Sequence, residues 1–302
     1  MSGKIKIARI YKYDYHLVDA WESEIEIEPY LYNVTGYDHH GNITLEVSQS
    51  ADFSTTSKSE RKYDAEGRLT EEIIWDENDE IMERTTYERD ENGRILRHLE
   101  HYLDGSFDIT HYTYDDEGNL IEKVTITDED ETEGREKFHF ENGKLVKSEE
   151  FDEENKLITS SEYVFDDHGN LIEQKNKTLE GGNTSLRYEY DENNHRTMQM
   201  QYNEIGRLIE KISYTYDENG RVTHVLEEDE RKKNTTEFTL DDQGRAVWQI
   251  EKDVFGEIVL KVERQYDADG NITRLTAFIK SPGNYPDQNY VLSYEYEHFE
   301  EL

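Results

Sequence analysis

From Leu208 to Tyr216 apolar and polar residues alternate, with Leu208, Ile212, Tyr214 and Tyr216 on one parity and Ile209, Lys211, Ser213 and Thr215 on the other. A period of two is the pattern of a β-strand. The strand runs into a turn motif of the form aromatic-Asp-x-x-Gly-Asn/Arg-aliphatic. Two clear copies are Tyr37-Asp38-His39-His40-Gly41-Asn42-Ile43 and Tyr63-Asp64-Ala65-Glu66-Gly67-Arg68-Leu69. Close copies start at Tyr114, Phe165, Tyr216 and Tyr266, and worn ones at Arg89, Phe140, Tyr190 and Leu240. Successive starts are 26, 26, 25, 26, 25, 25, 26, 24 and 26 residues apart. Weaker turns beginning at Trp75, Tyr102, Phe151, Tyr202 and Lys252 fall between them. A fixed period of this length marks a repeat architecture. It predicts a single all-β domain, a long antiparallel meander of about twenty strands coiled into a ribbon or partial shell. Residues 1–36 read as an N-terminal cap or degenerate repeat, 37–278 as the hairpin repeats, and 279–302 as a C-terminal loop and capping strand. The charges of Glu297, Glu300 and Glu301 would protect that last strand from edge pairing.

Each motif position has a turn chemistry. In Tyr114-Asp115-Asp116-Glu117-Gly118-Asn119-Leu120, Asp115 can hydrogen-bond the turn backbone and Gly118 can supply a positive φ. That three-residue loop places Tyr114 opposite Leu120. Phe140 to Leu145 contains a two-residue Asn142-Gly143 turn, and the Asp104-Gly105 turn reads the same way, which would set His98 opposite His111. Leu208 to Tyr216 is eight residues and Leu120 to Ile126 six, both even. Strict alternation therefore puts all turn-flanking apolar residues on one face. Glu71, Glu122, Glu173 and Glu210, each two residues after a turn aliphatic, are expected on that same face, which would be wet or covered by a partner.

With 71 Asp and Glu against 34 Lys and Arg, the formal charge is −37. Only 33% of residues are hydrophobic, and that figure includes 22 tyrosines, so a thick-cored enzyme domain is disfavoured. The absence of cysteine excludes disulfides and thiolate chemistry. No stretch approaches a membrane span or a signal peptide's apolar region, and the expected location is the cytoplasm.

The repeat residues between 37 and 278 resemble the YD-repeat, or Rhs-repeat, family of bacterial polymorphic toxins, insecticidal toxin complexes and teneurins. The resemblance is to the repeat region, without a toxin domain. It implies a β-strip that spirals into a shell around a toxin or other cargo.

Catalytic signatures are not found among the motifs: there is no nucleophile elbow, phosphate loop or dinucleotide fingerprint. Asp128 to Gly134 departs from a calcium loop in the placing of its glycine and its twelfth residue. No enzyme activity, metal or cofactor is expected. The expected role is a protein-binding scaffold or capture module of a bacterial conflict or toxin-related system, taking a basic protein partner. Tyr112, Tyr114, Tyr214 and Tyr216 are the candidate aromatic contacts, with Glu122 and Glu210 as candidate carboxylates. An extracellular glycan- or wall-binding repeat protein is the alternative, and an acidic nucleic-acid mimic a third. Direct nucleic-acid or membrane binding is disfavoured by the charge.

Overall fold

A computed structural model describes residues 4–16, 25–26, 28–283 and 285–300. The described residues form twenty-three strands and no helix, and every assigned pairing is antiparallel. The all-β meander built from two-strand repeats is therefore what the chain forms. Its strands group into two compact units, one of Met1–Arg84 with Thr235–Leu302 and one of Thr85–Asn234.

In the first of these units the two ends of the chain meet. The strand Ile5–His16 lies between Tyr30–Tyr37 and Gln288–His298, paired to both. On one side the ladder continues through Ile43–Gln49, Thr55–Tyr63 and Leu69–Trp75. On the other it runs through Ile272–Ile279, Ile258–Tyr266, Ala246–Lys252 and Lys233–Leu240. The expectation of a last strand guarded by charge is thus corrected. Backbone pairing on both sides satisfies the N–H and C=O groups that an edge would expose. Glu297 is ion-paired to Lys6 at 2.9 Å and Arg9 at 3.4 Å, and Glu301 lies outside the described residues. In the other unit the strands from Ile95–His101 to Val222–Asp229 pair each with the next.

The hairpins carry the turn chemistry of their sequences. Asp115 N donates to Asn119 O at 2.9 Å, and Gly118, at φ 87°, donates to Asp115 O at 3.1 Å. Tyr114 faces Leu120 and Phe140 faces Leu145, the latter across Asn142 and Gly143 at φ 51° and 74°. The Tyr102 turn departs from expectation. Only Gly105 has positive φ there, and Tyr102 N bonds Ser106 O at 2.9 Å, so the loop has three residues. His101 consequently faces Phe107, and His98 faces Thr110 rather than His111. The acidic segment after Thr127 is likewise a hairpin turn, closed by Thr127 N to Glu131 O at 2.9 Å.

A second departure concerns the faces. Nearly every hairpin shifts register just after its turn, because one residue of the returning strand has no cross-strand partner. That bulged residue is Thr44, Thr70, Ile121, Ile172, Ile209 or Thr273 in these examples. Where it is threonine, the hydroxyl can donate to a carbonyl of the facing strand: Thr70 to Lys62 O at 3.1 Å, Thr273 to Gln265 O at 3.3 Å. A bulge adds a residue that strict alternation does not count and increases local twist. Tyr202 faces Leu208, but the adjacent Gln201 faces Glu210. Leu208 therefore lies on the face opposite Glu210, Ile212, Tyr214 and Tyr216. The expectation of one apolar face fails: the turns of the two strand edges put their aromatic–aliphatic pairs on opposite faces.

Among the described residues the buried apolar side chains are few: Ala8, Tyr30, Val262, Ala277 and Val291. Stability must come from cross-strand pairs and turns more than from a central core.

Candidate interaction surface

The motif joins neighbouring turns as well as closing its own. Asp64 Oδ1 accepts the backbone N–H groups of Glu66 at 3.0 Å and Arg68 at 2.9 Å, while Oδ2 accepts Arg68 Nε at 2.7 Å. Asp115 holds Asn119, and Asp217 holds Arg221, in the same way. The backbone N–H groups of Arg68, Arg221 and Arg245 hold the Asp64, Asp217 and Asp241 carboxyls below the usual range, with the guanidiniums adding to the effect and slight desolvation opposing it.

The side chain at this position, held by the aspartate in Arg94, Arg245 and His195 and without that clamp in Lys144, covers the aromatic ring of the next turn on the same edge. Arg94 lies 5.0 Å over Tyr114, Lys144 5.0 Å over Phe165 and Arg245 4.6 Å over Tyr266, and His195 stacks on Tyr216 at 4.9 Å. In return the tyrosine hydroxyl donates to a carbonyl just beyond the preceding turn. Tyr63 reaches Ile43 O at 2.7 Å, Tyr114 Ile95 O at 3.0 Å, Tyr190 Leu171 O at 2.8 Å and Tyr266 Ala246 O at 2.9 Å. Within each unit these contacts stitch successive turns into a spine.

Two of the candidate contacts belong to this spine. The Tyr114 and Tyr216 hydroxyls are engaged, the latter with Arg196 O at 2.6 Å, and burial raises both phenols above their ordinary pKa. Tyr112 bonds His98 Nδ1 at 3.0 Å, and His98 lies 5.9 Å from Tyr87. Burial pushes the Tyr112 phenol up and the His98 imidazole down. Tyr214 faces Val225, and its hydroxyl has no hydrogen-bond partner among the described residues. Tyr112 and Tyr114 are eight strands from Tyr214 and Tyr216, so the structure does not gather the four into one site.

The carboxylate row separates as well. Tyr112 faces Lys123, whereas Glu122 faces Thr113, so Glu122 lies on the face opposite Tyr112 and Tyr114. Glu71 and Glu173 pair with Lys62 and Val164 and are likewise on the face opposite Tyr63 and Phe165. The bulge again is the cause. These three carboxylates are matched within the chain: Glu71 with Arg84 at 2.6 Å, Glu122 with Arg135 at 3.5 Å and Glu173 with Arg187 at 3.2 Å. Glu210 alone of the four shares the face of Tyr214 and Tyr216, beside Asp229.

What the residue pattern did not single out is the row of turn tips. Glu91, Asp116, Glu141, Asp167, Glu192 and Glu218 are exposed, one in each of six consecutive turns of the spine edge. None has a cationic partner among the described residues. Their signal was present as the two variable positions of each motif, which are acidic again and again. The turns of the opposite edge mix exposed acids, such as Glu129, Glu154, Glu180 and Glu204, with exposed apolar residues, Leu103, Leu179 and Ile205 in the same unit. Among the described residues no three His, Asp or Glu are grouped to hold a metal ion.

A family model described as "Uncharacterised protein" matches residues 90–205. A search of curated proteins finds no match. Among solved structures, the Tc holotoxin pore of Photorhabdus luminescens is similar at 16% identity and TM-score 0.42 over 82% of this chain and 15% of that one. A structure of TcdB2 with TccC3 is similar at 15% identity and TM-score 0.43, with the same coverages. This chain thus spans about 15% of the length of those toxin chains. A porin-like protein from Bacteroides uniformis is similar at 12% identity and TM-score 0.34, over 98% of this chain and 99% of that one.

Proposed function

We propose that the chain is a non-catalytic scaffold that captures a basic protein, or a basic segment of one, within a toxin-related bacterial system. The toxin association follows from the resemblance of the repeats, and the cytoplasm is the proposed site of action. The capture reading is carried by the unpaired carboxylates on six consecutive turns, Glu91, Asp116, Glu141, Asp167, Glu192 and Glu218. Turns two strands apart recur about every 9.6 Å. An extended or polyproline-type segment advances roughly 9–10 Å in three residues. A segment with Lys or Arg at every third position would therefore meet one carboxylate per turn. Attraction of this kind acts mainly on the rate of encounter and is screened by salt.

The test is binding kinetics with a Lys-Ser-Ser repeat peptide and with proteins recovered from the native host, at about 50 to 500 mM salt. The on-rate should fall with salt, and neutralising the six acids to Asn or Gln should flatten that slope. An on-rate indifferent to salt, or recovery of neutral glycans alone, would discard protein capture. Turnover of any recovered partner would discard the non-catalytic part.

A further inference from the structure

The unit that contains both chain ends carries a cleft of about 490 Å³ on the sheet face opposite Tyr266. Its size falls within the range of small-molecule sites, roughly 300–1,000 Å³. A row of cross-strand neighbours makes the floor: Trp248 faces Glu263, Glu263 faces Thr276, and Thr276 faces Val291. Val291 is only 3% exposed, and the short Thr276 and Val291 side chains leave a depression between longer ones. Lys261, Phe278 and Asn289 form one wall, also as cross-strand neighbours. Arg274, two residues from Thr276, closes the other end.

The polar groups here differ from those elsewhere on the same face. Glu71, Glu122 and Glu173 follow their turn aliphatics by two residues and are each matched by an arginine. After Ile272 that position is Arg274, and its cross-strand neighbour is Ser293. Where other repeats put a cation in this slot it is ion-paired, Arg97 to Glu88 and Lys147 to Glu149, whereas Arg274 has no ion-pair partner among the described residues. Among the described residues the side chains of Arg274, Glu263, Thr276 and Asn289 have no hydrogen-bond or ion-pair partner. Lys261 makes none either, lying 4.9 Å over the Trp248 ring. Two cations, one carboxylate, one amide and one hydroxyl thus line the cleft beside two aromatic rings, without hydrogen-bond or ion-pair partners among the described residues.

We propose that this cleft binds a small sugar acid of the hexuronate type. Such a ligand has an apolar C–H face for Trp248 and Phe278. Its carboxylate suits Arg274 and Lys261 as charge-assisted donors. Its hydroxyls can donate to Glu263 and pair with Asn289 and Thr276. An aromatic anion would leave Glu263 without donors, and a neutral hexose would leave Arg274 without a counter-charge. The proposal stands apart from protein capture, which uses the turn tips of the other unit.

The test uses the full chain, with D-glucuronate, D-glucose and benzoate titrated by calorimetry and by tryptophan fluorescence. Glucuronate should bind saturably and change the fluorescence, and Trp248→Phe should abolish that change. Arg274→Glu installs the residue that other repeats carry at this position, so folding should survive, checked by circular dichroism. It should weaken glucuronate about tenfold or more, as loss of a charged hydrogen bond implies. Glucose binding as tightly as glucuronate, or benzoate binding more tightly, would overturn the ligand class. No saturable binding, or an Arg274→Glu variant that binds as well as the parent, would overturn the site.

Discussion

Three glycines of similar backbone allow the spine to be weighed. Gly105, Gly118 and Gly220 have φ of 90°, 87° and 75°. Alanine at any of them incurs the left-handed penalty, about 1–2 kcal/mol. What the new Cβ meets is different at each. At Gly105 nothing lies within 4 Å, and at Gly118 the nearest atom is Arg94 Nη1 at 3.9 Å. At Gly220 it would lie 2.6 Å from His195 Nε2 and 2.9 Å from Cε1. The imidazole has little room to retreat, because Nδ1 contacts Asp191 Oδ2 at 3.1 Å and the ring stacks on Tyr216 at 4.9 Å. Displacing it forfeits a stack and a hydrogen bond, each about 0.5–1.5 kcal/mol. Gly220→Ala should therefore cost about 2–5 kcal/mol, against about 1–2 for Gly105→Ala or Gly118→Ala. In a His195→Ala background the obstruction is gone, and Gly220→Ala should return to about 1–2 kcal/mol. Urea unfolding followed by circular dichroism gives the losses. Hydrogen exchange at the amides of residues 219–223 locates them, since repeat arrays can open locally. Equal losses at the three glycines, or additivity of Gly220→Ala with His195→Ala, would refute the spine.

Other outcomes follow from the same contacts. Tyr114→Phe leaves the Ile95 carbonyl without its donor and should cost about 1 kcal/mol in urea unfolding; no loss would mean that the hydroxyl contact is idle. Deleting residues 1–16 exposes the edges of Tyr30–Tyr37 and Gln288–His298 and should produce oligomers in light scattering; a stable monomer would show that Ile5–His16 is dispensable. The Ser50 and Ser54 hydroxyls hold the Asp52 carboxyl down to about 2, and the motif aspartates are also lowered. Because the folded values lie below the unfolded ones, this stabilisation is full above about pH 4 and lost as the pH falls toward about 2. Acid titration by circular dichroism should show turn loss in that window and not above it, with Asp64→Asn flattening the local response.

Much of the fold is legible in the residues because it is decided within a few positions of chain. Asp115, Gly118 and the Asn142-Gly143 pair each close a hairpin through bonds inside one turn, so their strands and the 25–26-residue period can be read directly. The faces cannot be read from parity, because the bulge after each turn depends on which backbone groups pair across the ladder. The β-branched residue at the bulge, such as Thr70, Ile121 or Thr273, is the trace it leaves in the sequence. Contacts between elements far apart in the chain decide the rest. Tyr114 as a member of a spine requires Ile95 and Arg94 from the preceding turn, and the matching of Glu122 to Arg135 requires the neighbouring strand. The seating of Ile5–His16 beside Gln288–His298 joins segments nearly 300 residues apart. The cleft at Trp248 exists because four strands place short side chains between long ones. Turn chemistry is local and survives in the sequence, whereas neighbour identity and face arise only once the strands have paired.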